Sequence, residues 1–134
     1  MNWIRIGAIS GALAVAFGAF GAHGLTPKPK VLNTMEATER QALERRLANF
    51  ETAARYHMVH ALAIVAVGLA PGVARWRTAA GWAFLLGTVA FSGSLYAIGV
   101  GGPKWLGMIV TPTGGVLFIV GWVLFAASAR ATET

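Results

Sequence analysis

The chain has 134 residues, of which 56% are hydrophobic and only 12% are charged, whereas about a quarter of the residues are charged in an ordinary soluble domain. The net charge of +6 reflects a shortage of acids, 5 Asp+Glu against 11 Lys+Arg, rather than a basic patch, which disfavours a nucleic-acid-binding module. The absence of cysteine excludes disulfides, thiolate nucleophiles and Cys-ligated zinc.

Four long stretches contain no charged residue, namely 6–27, 56–74, 78–103 and 105–129. A bilayer-spanning helix needs roughly 20 mostly apolar residues, and a soluble helix would show charge on its outer face. The sequence therefore predicts an all-α fold: a four-transmembrane-helix bundle with an amphipathic helical segment between helices 1 and 2. We expect one membrane-embedded domain over 1–134. Its spans are predicted at about 4–24, 54–69, 79–100 and 106–129.

The first span carries small residues at helical spacing, among them Gly7, Gly11 and Gly18. Helices associate in lipid by close backbone approach over such residues, so we interpret this face as a packing surface. The stretch could alternatively be a signal peptide, with Arg5 in its basic region and small residues at 21–24 for cleavage. The glycine and alanine pattern favours a retained helix.

The connection after the first span is charged. Pro27 and Pro29 predict a loop, whereas 31–67 contains neither glycine nor proline and predicts a helix capped near Asn33 or Thr38. An apolar stripe continues along this segment into the second span. We therefore expect the amphipathic segment either to lie at the membrane interface or to lead directly into the second span.

The fourth span contains three glycines spaced by seven, Gly107, Gly114 and Gly121, which we also assign to helix packing. Pro112 lies in the first half of this span. Because proline lacks an N–H and leaves a backbone carbonyl unpaired, the sequence predicts a kink or break near 111–115.

Polar side chains recur inside the spans. His57 and His60 are three residues apart, and Tyr56 and His60 are four apart, so they are predicted to share a helix face. Polar residues at steps of four follow in the third span, and ionisable residues at membrane depth usually face the bundle interior. The candidate polar cluster comprises His23, Tyr56, His57, His60, Thr88, Ser92, Tyr96 and Thr111.

Two interpretations of this cluster remain open. Its members can hydrogen-bond to one another and set the helix register, at roughly 0.6–2 kcal/mol for each bond. Alternatively they bind a proton or a small polar ligand. No metal or cofactor is predicted, because the close pair His57 and His60 has no carboxylate on its face. An enzyme is disfavoured, since no nucleophile–base–orienter set is visible and the chain has no aspartate.

Four ordered motifs carry a resemblance: GAFGAHG at 18–24, YHMVHAL at 56–62, GTVAFSGSLY at 87–96 and TPTGG at 111–115. Together they resemble the YgdD-like family of small integral membrane proteins, a domain of unknown function. The resemblance implies four membrane helices and no established activity, cofactor or catalytic residue. The chain departs from it in the first loop, 27–46, which is longer and more charged than the resemblance implies.

Orientation depends on the basic residues, because an even number of spans places both termini on one side. That side holds Arg5, Arg130 and a predicted polar turn with Arg75 and Arg77, against seven Lys and Arg on the other side. The count alone would place the first loop in the cytoplasm. The accompanying glutamates and the basic C-terminal tails that the resemblance implies favour the opposite.

We therefore predict a multi-pass protein of the inner (plasma) membrane with cytoplasmic termini. Its expected partner is the lipid bilayer, with no nucleic acid. The functional hypothesis is a small bundle that binds a proton or small polar ligand at its cluster. The alternative is a structural or accessory protein that packs against another membrane protein, or against a second copy of itself, through its glycine-rich faces.

Overall fold

The computed structural model describes residues 1–129, and Arg130 lies outside the described part of the chain. Over those residues all regular elements are helical. The five helices are α1 Trp3–Gly24, α2 Pro29–Thr34, α3 Ala37–Leu69, α4 Ala74–Gly99 and α5 Trp105–Ala129. Four of them, α1, α3, α4 and α5, are long and apolar enough to cross a membrane. The predicted four-transmembrane-helix bundle is confirmed.

The two central helices are α3 and α4, which pack against each other. On one side α1 packs against α3, and on the other α5 packs against α4. The outward faces of the flanking helices carry exposed aliphatic side chains, among them Leu13 and Val15 on α1 and Ile119 and Val123 on α5. Such faces suit contact with acyl chains, which are as apolar as the side chains themselves.

The amphipathic segment and the second span form one helix. At 1.5 Å per residue, the 33 residues of α3 extend about 50 Å, well beyond the roughly 30 Å of a hydrocarbon core. The helix begins after Glu36, whose backbone N–H donates to Glu39 Oε2 at 3.3 Å in a capping box. The predicted caps at Asn33 and Thr38 are wrong, because Asn33 belongs to the short helix α2 and Thr38 already lies inside α3.

The helix that contains the third predicted span, α4, begins before its charge-free stretch. Arg75 and Arg77 lie in the first turn of α4 rather than in a separate polar turn. A charge-free stretch marks the part of a helix that hydrocarbon surrounds, and the helix itself continues beyond it into the polar region. Arg77 Nη1 donates to the carbonyl of Ala70, which follows the last residue of α3, so the basic side chain joins the ends of two spans.

The fourth span continues through Pro112 as a single helix, so a break there is wrong, whereas a kink stays a prediction. Hydroxyl groups on either side of the proline bond to carbonyls of the preceding turn. Thr113 Oγ1 donates to the carbonyl of Ile109 at 2.8 Å, and Thr111 Oγ1 donates to that of Leu106 at 3.3 Å. Neighbouring side chains of this kind allow proline to remain inside a membrane helix.

Three of the six glycines assigned to packing lie where two helices approach most closely. A Cβ added at Gly114 would lie 2.4 Å from the backbone nitrogen of Phe91, and one at Gly7 would lie 2.7 Å from that of Val65. At Gly121 it would lie 2.6 Å from a phenylalanine ring of α4. No side chain fits at these distances, so these helix contacts require glycine.

The other three glycines of that set have more room. A Cβ at Gly11 or Gly18 would lie 3.8 or 3.9 Å from an alanine methyl group of α3, an ordinary contact distance. At Gly107 it would lie 3.2 Å from the terminal methyl of Ile98. All six glycines therefore face other helices of this same chain.

Arg46 connects the charged half of α3 to the end of α4. Its Nε donates to the carbonyl of Gly99 at 3.0 Å. The last carbonyls of a helix have no partner within the helix, and a cation near them is favourable. The contact therefore holds the extension of α3 against the bundle.

Replacing Gly114 by alanine should lower the free energy of unfolding by about 1–3 kcal/mol, because the new methyl group would force α4 and α5 apart. The matched control is Gly115→Ala, where the nearest atom to a Cβ lies 3.9 Å away. The control should leave stability unchanged or raise it by up to about 1 kcal/mol through helix propensity. Thermal unfolding of both variants in the same detergent measures the difference, and equal losses would contradict this packing.

Replacing Arg46 by alanine should cost about 1 kcal/mol in the same unfolding measurement, because the terminal carbonyl of α4 loses its donor. Arg45→Ala is the control, since Arg45 is exposed and its side chain makes no hydrogen bond or ion pair within the described residues. A similar loss in both variants would indicate a general charge effect instead.

Candidate functional site

A groove of about 550 Å³ lies between α1 and α4. These two helices both rest on α3, which contributes the groove floor. The rim residues Ile9, Leu13 and Val89 are at least half exposed, so the groove opens sideways towards the surface that lipid covers. Most of the lining is aliphatic or aromatic. The polar lining residues are Ser10, His57, Thr88, Ser92 and Tyr96.

His57 links three helices by hydrogen bonds at the floor of this groove. Its Nε2 lies 3.0 Å from Ser10 Oγ of α1, and its Nδ1 lies 3.2 Å from the hydroxyl of Tyr96 of α4. His57 and Ser10 are buried, at 6% and 7% exposure. We call this arrangement the Ser10–His57–Tyr96 chain. It holds together the two helices that the groove separates.

The hydrogen bonds of the Ser10–His57–Tyr96 chain can run in either of two directions. A neutral imidazole has one N–H donor and one nitrogen acceptor, and membrane depth favours the neutral form. Either Ser10 donates to His57, which donates to Tyr96, or Tyr96 donates to His57, which donates to Ser10. A change of imidazole tautomer, with rotation of the two hydroxyl groups, converts one direction into the other.

Ser92 also lines the groove, one helical turn before Tyr96. The residue is 1% exposed, and its hydroxyl has no hydrogen-bond partner in the described part of the chain. A buried hydroxyl without a partner costs about 1–3 kcal/mol. The next residue, Gly93, leaves open space, since a Cβ there would have no atom within 4 Å.

His60 faces a different neighbour. Its Nδ1 donates to the backbone carbonyl of Tyr56 at 2.8 Å, within the same helix. Its ring stacks on Phe118 of α5 with 3.4 Å between centroids and 7° between planes, and Phe84 lies 5.7 Å away. Tyr56 is 43% exposed and packs beside Phe91, 4.6 Å between centroids. On this side of α3, His60 and Tyr56 therefore pack against aromatic rings of both α4 and α5.

The remaining predicted residues do not join the groove floor. Thr88 lines the groove, but its hydroxyl donates to the carbonyl of Phe84 in its own helix at 2.8 Å. Thr111 lies 2.7 Å from Ser94 Oγ, between α4 and α5. His23 is exposed at the end of α1. The predicted set is thus divided between two sides of the α3–α4 pair, and four members, His57, Thr88, Ser92 and Tyr96, line the groove.

Sequence reasoning did not select Ser10 or Ser94 as cluster residues. Ser10 follows Gly7 by three residues and therefore lies on the small-residue face of α1, which was interpreted as packing only. That spacing indicates that Ser10 faces another helix, although the partner His57 is set by the rotation of α1. Across residues 1–129, no group of three or more His, Cys, Asp or Glu is placed to hold a metal ion.

Comparisons with known proteins agree with a membrane bundle. A family model described as "Protein of unknown function (DUF423)" matches residues 17–115. The UPF0382 membrane protein YwdK of Bacillus subtilis is 39% identical over 131 residues, which cover 95% of this chain and 94% of YwdK. The UPF0382 inner membrane protein YgdD of Escherichia coli K12 is 39% identical over 124 residues, 91% of this chain and 84% of YgdD. A UPF0382 membrane protein of Staphylococcus aureus is 39% identical over 126 residues, 91% of this chain and 89% of its own length. No solved structure matches the chain significantly.

The two tyrosines of the chain offer a matched test of the hydrogen-bond chain. Tyr96→Phe should lower the free energy of unfolding by about 0.6 kcal/mol and at most about 1.7 kcal/mol, the average and the maximum measured for hydrogen bonds between membrane helices. Tyr56→Phe should change it little, because the Tyr56 hydroxyl makes no hydrogen bond within the described residues. Unfolding of both variants in the same detergent decides the matter. A larger loss for Tyr56→Phe would contradict the assignment.

Proposed function

We propose that the groove of this protein binds a small membrane-soluble ligand. The chain belongs to the DUF423 family of small membrane proteins. The ligand would lie between α1 and α4, over the Ser10–His57–Tyr96 chain. One observation carries the proposal: hydrogen-bonding groups that hydrocarbon cannot satisfy are gathered at the floor of an apolar groove that opens sideways.

The dimensions and chemistry of the groove support binding. Small-molecule sites in proteins have volumes of roughly 300–1,000 Å³, mostly apolar walls and a few polar groups that orient the ligand. The groove has about 550 Å³ and matches that description. Polar groups at membrane depth are also costly to keep, which makes them candidates for function.

The alternative, an accessory protein that packs against a partner or a second copy through its glycines, has less support. The six glycines assigned to packing face helices of the same chain. A partner would therefore have to use other residues, such as the aliphatic outer faces of α1 and α5. The distribution of the glycines favours the binding function.

For the orientation we propose cytoplasmic termini in the plasma membrane. On the side of the termini the described residues include Arg5, Arg75 and Arg77, and the side of α2 carries both basic and acidic residues. Reporter fusions at both ends test this orientation, and periplasmic signals from both would overturn it.

Filling the groove should prevent binding. Gly93→Leu adds an apolar side chain at a groove-lining position where a Cβ would have no other atom within 4 Å. We expect tritiated dodecane, tritiated dodecan-2-one or both to bind saturably to the protein in phosphatidylcholine nanodiscs, above the level in empty nanodiscs. Gly93→Leu should weaken that binding about tenfold or more, equivalent to about 1.4 kcal/mol.

The control is Val123→Leu, which enlarges an exposed side chain on α5, away from the groove. It should bind both probes as the unaltered protein does. Absence of saturable binding for both probes would overturn the proposed function. So would equal weakening by the two substitutions.

A further inference from the structure

The groove floor carries more hydrogen-bond donor protons than the hydrogen bonds it forms. The Ser10–His57–Tyr96 chain contains three donor protons when His57 is neutral: one on each hydroxyl and one on the imidazole. It forms two hydrogen bonds. One proton is therefore always left without an acceptor, and protonation of His57 would add another.

The position of that spare proton depends on the direction in which the hydrogen bonds of the Ser10–His57–Tyr96 chain run. When Ser10 donates to His57, the Tyr96 hydroxyl keeps a free proton. When Tyr96 donates, the Ser10 hydroxyl keeps it. Ser92 supplies a further donor, since its buried hydroxyl has no partner among the described residues. The site thus offers two unused donors in either direction.

Charge narrows the class of ligand further. None of the residues that line the groove is Asp, Glu, Lys or Arg. An ammonium group would enter an apolar site that holds no carboxylate, and a carboxylate would find a counter-charge only if His57 also became charged, so that two charges would have to be desolvated. A ligand that satisfies the spare donors must therefore be an uncharged acceptor.

We infer that the groove recognises an uncharged hydrogen-bond acceptor on an apolar body, such as a membrane-soluble ketone, ester or ether, and that the Ser92 hydroxyl donates to its oxygen. This inference rests on the proposed binding function of the groove. The open space at Gly93 leaves room for the apolar body beside Ser92.

The test compares two probes of equal chain length in phosphatidylcholine nanodiscs. Dodecan-2-one has one carbonyl acceptor, and dodecane has none. After correction for partition into empty nanodiscs, dodecan-2-one should bind about fivefold or more tightly than dodecane, as expected for one hydrogen bond. The carbonyl stretch of ¹³C-labelled dodecan-2-one should move to lower wavenumber on binding.

Ser92→Ala removes the donor with little change in volume. It should remove most of the preference for dodecan-2-one and leave dodecane binding unchanged. Ser94→Ala is the control, because Ser94 lies on the same helix but faces Thr111 of α5. It should retain the preference. Thermal unfolding in detergent verifies that both variants fold.

The outcomes separate this inference from the proposed function. Equal saturable binding of both probes would leave a binding groove but overturn acceptor recognition. A preference that persists in Ser92→Ala would overturn the assignment to Ser92. Absence of binding for both probes would overturn the groove function and this inference with it. Preferential binding of dodecylammonium over dodecan-2-one would overturn the exclusion of charge.

Discussion

Hydrocarbon offers no hydrogen-bond partner, and this constraint organises the polar groups of the four spans. Most of them are satisfied by the chain itself: Thr88 bonds to the carbonyl of Phe84, His60 to that of Tyr56, and Ser94 to Thr111. Each of these bonds lies within one helix or between two packed helices. The groove floor differs because its hydroxyl and imidazole donor protons outnumber the hydrogen bonds that they form. In a membrane bundle such an imbalance has a free-energy cost, and that cost is the physical reason for assigning function to this place.

The groove exists because some pairs of helices approach each other more closely than others. Glycine at a contact brings α1 against α3 and α5 against α4, whereas α1 and α4 meet mainly at their ends. At one end the ring of Trp3 lies against Gly81 and 5.8 Å from the ring of Trp82. At the other end the rings of Phe17 and Tyr96 lie 4.7 Å apart. Two aromatic contacts therefore hold the helices at a fixed separation, and the space between them remains open to the side.

The fold could be predicted from the sequence because one energetic rule dominates membrane helices. Charges are excluded from hydrocarbon, so the charge-free stretches locate the four spans without further information. The same rule cannot locate helix ends, since helices continue into the polar region, as Arg75 and Arg77 show in the first turn of α4. Local chemistry sets those ends instead. Glu36 and Glu39 form the cap of α3, and the pattern could equally have been placed at Asn33 or Thr38 by composition alone.

The site could be predicted only in part from the sequence, and the two histidines of α3 show why. A spacing of three residues places His57 and His60 about 60° apart around the helix, which predicts one shared face. Because α3 is central, a rotation of that size is enough to direct one ring towards α1 and α4 and the other towards α5. Residue spacing predicts which side chains share one face of a helix. Which neighbouring helix each of those side chains contacts depends on how the helices are rotated relative to each other. Ser10 was missed for the same reason: its role is defined only when α1 turns that hydroxyl towards His57.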